Sequence, residues 1–276
     1  MTSADPYPFS AAPLTRLLLG RRAFGSMGGG KAGVLIERNV MVYRRVWVAM
    51  VSGFFEPVFY LLSIGVGLGK LTGAVDGVPY AHYVAPGLLA VSAMNGAVFD
   101  ATFNVFFKIK YAKIYDAMLA TPLRVGDIAL GDIMWAQLRG LMYSAAFLVI
   151  MLAMGLVHSW WALLALPVTV LIGFAFGAVG MAATSFMRSW QDFDMITLAL
   201  MPMFLFSGAF YPLSVYNPQI RVLIEALPLY HGIDLLRALT LGRVHIGLLW
   251  DVLYLAVMAL IGAAVAARRL EKLLLT

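Results

Sequence analysis

The sequence predicts an all-α membrane protein. It would have six transmembrane helices, an N-terminal interfacial amphipathic helix, and re-entrant outer helices between spans five and six. Three observations carry this. The chain is 62% hydrophobic and only 12% charged, against about 25% charged residues in a soluble domain, and its mean hydropathy is +0.87. Six stretches approach the roughly 20 apolar residues that a helix needs to cross a bilayer: 47–69, 83–107, 133–156, 161–186, 195–211 and 246–267. The cations are unevenly divided among the connecting segments. Fifteen Lys and Arg fall before span one, in the even-numbered loops and in the tail, against four on the opposite side. Lys and Arg collect on the cytoplasmic face, so both termini are expected in the cytoplasm.

Each segment has its own warrant. Residues 1–30 read as a flexible cytoplasmic tail, and 31–276 as the membrane domain. Over 31–47, about 100° per residue places Ile36, Val40, Tyr43 and Trp47 on one face, with Glu37, Arg38, Met41, Arg44 and Arg45 on the other. Such a helix lies in the membrane interface with its basic face toward headgroups. In span one, Pro57 follows Glu56 and removes a helix hydrogen bond, which predicts a kink. Residues 211–243 are too polar and Pro-rich to span. Asn217 is placed to cap a helix that has Pro218 at its first position. Leu227-Pro228 breaks that helix, and a second over about 232–241 stops at Gly242. These two short helices are read as dipping into the outer leaflet.

Composition excludes several chemistries. There is no cysteine, and His82, His158, His231 and His245 are scattered, so neither disulfides nor a histidine metal site is expected. The surplus of positive charge is explained by topology, and no nucleic-acid partner is expected. The run "GSMGGGKA" from Gly25 fits three positions of a phosphate-binding loop but has Ala32 where a hydroxyl would bind magnesium. No buried strand precedes it, as such a loop requires. It reads as a hinge, so any energy source lies outside this chain.

The loop after span two contains "YDAMLATPL", followed by a new span. With "FEPVFYLLSIGVGLG", "YVAPGLLAVSAMNGAVFD" and "FLFSGAFYPLSVYNP…LPLYHGIDLLRAL" in the same order, the chain resembles ABC type-2 exporter permeases over about residues 33–270. The resemblance is closest to the branch of nodulation lipo-oligosaccharide and daunorubicin-type drug exporters. It implies a plasma-membrane transport subunit without catalytic residues of its own. Its partners would be two copies of an ABC ATP-binding subunit, which hold ATP and Mg, and a second permease, identical or related. The substrate would be an amphiphile: a glycolipid, a lipo-oligosaccharide or a hydrophobic drug.

Within that frame, 111–127 is the candidate ATPase-coupling segment. Ile114, Tyr115, Met118 and Leu119 supply an apolar face, with Lys113 and Asp116 at its rim. Exposed apolar residues in a polar loop mark a contact. Glu56, Asp100 and Arg139 lie about 10–14 Å from the cytoplasmic boundary on three different spans, taking 1.5 Å per residue. Intramembrane charges need partners, so Arg139 is expected to pair with Glu56 or Asp100. The pair either switches partner during transport or statically fixes packing. On the outer side, His231, Asp234 and Arg237 form a candidate gate, with i, i+3 pairing of Asp234 and Arg237 as the plainer reading. Asp192 and Asp194 start span five, where the helix dipole stabilises them. Aromatics concentrated in spans one, two and five line a path or face lipid. Two other classes account for less of the sequence. One is a membrane enzyme on lipid-linked substrates, which needs convergent polar residues near one face. The other is a proton-coupled carrier that uses Glu56 and Asp100 as proton sites.

Overall fold

The computed structural model describes residues 32–43, 55, 58–111, 114, 118, 120 and 125–275. The tail, Glu56, Pro57 and the first part of span one lie outside them, as do Lys113, Tyr115, Asp116 and Leu119 of the coupling segment.

The described chain is almost wholly helical. Helix α1 is Ala32–Tyr43. A π-helical stretch, Leu61–Leu68, runs into the short α2, Gly69–Thr72. Helix α3, Tyr80–Phe99, continues through a π-helical turn, Asp100–Asn104, into α4, Val105–Lys110. Then come α5 (Val125–Ala153), α6 (Ala165–Thr184) and α7 (Asp192–Phe206). The chain ends with α8 (Pro218–Glu225), α9 (Pro228–Leu241) and α10 (Leu248–Leu275).

Among the described residues, four helical stretches are long and apolar enough to cross a membrane: Tyr80–Lys108, Gly131–Ala153, Trp160–Thr184 and Leu248–Arg269. They match expected spans two, three, four and six within a few residues. The described part of expected span one is the shorter apolar helix Val58–Thr72. Span five overlaps α7, which has 15 residues and Pro202 within it.

Helices α3 and α6 form the centre. Helix α3 packs on α6, α10 lies along α6, and α9 rests on α3 and α6. Small residues let these backbones approach, as in membrane bundles where packing replaces the hydrophobic drive. On α10 the buried positions Asp251, Leu255, Ala259 and Ala266 recur about every four residues. Gly262 on the same stripe has the backbone of Ala178 and Val179 so close that a Cβ would stand 2.8 Å from the Val179 nitrogen. The opposite face of α10, with Leu249, Trp250, Leu260 and Ile261, is exposed. It is the apolar surface a bilayer would cover.

The π turn in α3 has a visible partner. Widening the helix frees a backbone carbonyl, and Thr184 Oγ1 donates to the carbonyl oxygen of Ala101 at 3.0 Å. That bond ties α6 to the turn carrying Asp100.

Three features depart from the expectations. A two-stranded hairpin, β1 (Ala74–Val75) and β2 (Val78–Pro79), precedes α3. Its turn residues Asp76 and Gly77 both have positive φ, 50° and 78°, as a mirror-image hairpin turn requires and as the Asp-Gly pair favours. Helix α1 packs against α5 through a face that includes Asn39, whereas Val40, expected on the apolar face, is exposed beside Met41. Tertiary packing overrides a weak amphipathic pattern here. Asn217 does cap α8, accepting from the Ile220 N–H at 3.0 Å with Pro218 first in the helix. Gly242 ends α9 at φ 75°. Helix α9 starts at Pro228, four residues before the expected Gly232, because Pro suits the first turn.

Candidate functional site

Polar side chains gather at two levels of the bundle. At the first, the carboxylate of Asp100 on the π turn meets the Arg139 guanidinium from α5 and also accepts from the Asn104 amide. Asp100 is 6% exposed. A buried carboxylate needs an opposite charge and further donors to offset lost hydration, and this one has both. Glu56, the other expected partner, lies outside the described residues. About two turns further along the same continuous helix, Lys108 Nζ sits 2.7 Å from Asp132 Oδ1.

Two cavities flank the Asp100–Arg139 pair. One, of about 410 Å³, is lined by Asp100, Lys108 and Asp132 together with Arg38 and Asn39 of α1. The other, of about 590 Å³, lies between Tyr60, α3, α5 and α7. Its lining mixes amide and hydroxyl groups (Asn95, Tyr143, Thr197) with rings such as Phe103 and Phe204, and Arg139 borders it. Phe103 stacks on Phe193 with centroids 4.1 Å apart, so the rings on that wall hold one another in place. Aromatic faces with hydrogen-bonding groups between them suit a ligand that is partly apolar and partly polar.

Of the six residues expected to form the coupling face and its rim, two are described. Ile114 is half-buried on the smaller cavity, and Met118 is buried. Tyr111, at the start of the segment, is 61% exposed and stacks on Phe107 with centroids 5.7 Å apart.

At the second level, the side chains of His231, Asp234 and Arg237 make no hydrogen bond or ion pair with one another, and His231 and Arg237 find other partners. His231 Nδ1 donates to Asp251 Oδ1 of α10 at 2.6 Å, and its ring stacks on Tyr254 at 4.0 Å. Arg237 turns to α3 and to the end of α7. Its Nη2 donates to the Gly208 carbonyl at 2.7 Å, Nε donates to the Tyr83 carbonyl at 3.3 Å, and the guanidinium covers the Tyr83 ring at 3.8 Å. Tyr83 Oη donates to the same Gly208 carbonyl at 3.2 Å. The expected Asp234–Arg237 ion pair does not form. The Gly208 carbonyl lies just past the C-terminal end of α7 and has no helix partner, so it competes successfully for the guanidinium.

Sequence reasoning missed Asp251, Tyr83 and Asn39. A lone carboxylate in an apolar stretch was the available signal for Asp251. Nothing local marked Tyr83 or Asn39, because their roles come from what packs on them. At the start of α7, Asp192 accepts from the backbone N–H groups of Arg188, at 2.6 Å, and Ser189, at 3.1 Å. These bonds, the Arg188 one foremost, hold its carboxyl below the usual aspartate range.

Comparison with known proteins adds a lineage. A family model described as ABC-2 type transporter matches residues 31–241. Nodulation protein J of Rhizobium leguminosarum bv. viciae is 35% identical over 245 residues, covering 86% of this chain and 93% of the relative. Nodulation protein J of Sinorhizobium fredii is 34% identical, covering 87% and 92%. A protein described as inner membrane transport permease YadH of Escherichia coli is 26% identical, covering 71% and 77%.

Proposed function

The chain belongs to the ABC-2 type transporter family, and from that premise we propose that it is the permease subunit of an ATP-driven exporter carrying an amphiphile out of the cytoplasm. In this reading two copies of an ATP-binding subunit dock on the cytoplasmic side and supply the ATP and Mg. A second permease, identical or related, completes the pathway. Six spans, both termini in the cytoplasm and α8 and α9 dipping into the outer leaflet complete the topology. The uneven distribution of Lys and Arg supports the orientation.

One observation carries the reading: the 590 Å³ cavity, with its mixed aromatic and polar wall, lies within a bundle whose outer surface is apolar. An amphiphile can keep its chain in lipid and its head in such a space. A lipo-oligosaccharide or other glycolipid is the first substrate class, on the likeness to Nodulation protein J, and a hydrophobic drug the second. ATP binding draws the ATPases together, and the coupling segment, through Tyr111 and the residues after it, passes the movement to α3 and α5. Helix α3 carries Asp100 and α5 carries Arg139, so relative movement of the two helices strains or exchanges that pair. On the outer side, Arg237 holds α9 to α3 and to the end of α7, and its release opens the exit. Asp100 already accepts from two donors, which disfavours its use as a proton carrier.

The test is purification of the full chain from its host without crosslinking. A stoichiometric ATP-binding subunit is the expected companion, lost when Tyr111 is replaced by Ala. Transport that follows a pH gradient, with no ATPase attached, overturns the reading.

A further inference from the structure

The smaller cavity contains charges and donors that the transport reading does not use. Asp100 is matched by Arg139, and Asp132 by Lys108. Arg38 lines the same space half-buried and forms no ion pair among the described residues. Its neighbour Asn39 is 5% exposed, and its Nδ2 has no hydrogen-bond partner among the described residues. An unsatisfied buried amide costs free energy until an acceptor reaches it. A cation and an amide donor on consecutive residues thus face one cavity without acceptors of their own. Helix α1 is held there by packing along α5, so the two donors are positioned before any ligand arrives. Beside them Met41 and Phe107 are exposed apolar side chains, and Phe107 also lines the cavity.

We propose that this cavity between α1, the α3–α4 helix and the start of α5 binds the phosphate of a membrane phospholipid headgroup through Arg38 and Asn39. An anion with several oxygens satisfies both donors at once, and charge-assisted bonds of this kind are the stronger ones. The apolar neighbours Met41 and Phe107 run the acyl chain out toward the bilayer, which selects a lipid over a free phosphate. The proposal rests on the permease reading only in placing α1 at the membrane interface.

The full chain is reconstituted in nanodiscs of equal phosphatidylglycerol and phosphatidylcholine, released, and weighed by native mass spectrometry. Phosphatidylcholine offers the same phosphate but adds a choline cation that Arg38 and Lys108 repel, so wild type is expected to hold the net-anionic phosphatidylglycerol about tenfold in preference to it. Arg38→Gln is expected to lose that preference and Asn39→Leu to weaken it, each with unchanged helix content and melting. Arg188→Gln, an exposed cation away from the cavity, should keep it. Equal retention of both lipids by wild type, equal loss in Arg38→Gln and Arg188→Gln, or displacement of the lipid by excess inorganic phosphate each overturns the proposal. The ATP-binding subunit is scored in the same samples. A chain that brings down its ATPase but holds no phosphatidylglycerol defeats the site and leaves the transport reading standing.

Discussion

Asp100 and Arg139 sit 39 positions apart in the chain, yet the π turn in α3 and the face of α5 bring them together. Removing one member leaves a buried charge uncompensated, a cost of about 3–5 kcal/mol. Arg139→Met is therefore expected to lower the melting temperature of the purified chain and to abolish substrate-stimulated ATPase activity in the complex. Adding Asp100→Asn to that variant should recover most of the stability. Recovery of stability without transport marks a pair that moves, whereas recovery of both marks a purely structural one. A second residue-scale prediction concerns Asp192. Its folded pKa is depressed, so the stabilisation is present above the ordinary aspartate pKa and is lost as pH falls through the lower folded value. Wild type should melt above Asp192→Ala at neutral pH, and the gap should close in acid below about pH 4. A gap that persists there assigns the effect to something other than the carboxylate.

Helices α6 and α10 meet where Gly262 faces the Ala178–Val179 backbone. Backbone atoms cannot swing aside as a flexible side chain can. Gly262→Ala should therefore cost about 1–3 kcal/mol through forced separation of the two helices. Gly140, within α5, has open space around it. Gly140→Ala should stabilise by about 0.5–1 kcal/mol, because Ala loses less backbone freedom in a helix. Melting both variants against wild type in one detergent checks the pair of signs. The three-way contact of Arg237, Tyr83 and Gly208 joins α9, α3 and the end of α7 in the same way that Gly262 joins α6 and α10. Arg237→Met should loosen it and raise amide exchange in α9 and at residues 207–210 before other parts of the molecule.

The whole chain contains no cysteine, so single cysteines report topology cleanly. Ser3→Cys in the tail is expected to react only from the cytoplasm. Val215→Cys, at a position exposed between α7 and α8, should react only from outside. Labelling of both from one side overturns the six-span arrangement. Much of the architecture was readable from the chain alone. The four helices long enough to cross were set by runs of apolar residues, which need no partner to be recognised. Asn217, Pro218 and Gly242 marked helix ends because caps act within a few residues. The Asp76-Gly77 turn was legible by the same local rule and was passed over. What tertiary structure decided was who meets whom. The choice of Asp251 for His231, of two carbonyls for Arg237, and the inward placement of Asn39 depend on helices distant in sequence. Periodicity fixes which side of a helix is apolar, but only packing, through close backbone approach and the need of buried polar groups for partners, fixes which neighbour that side finds.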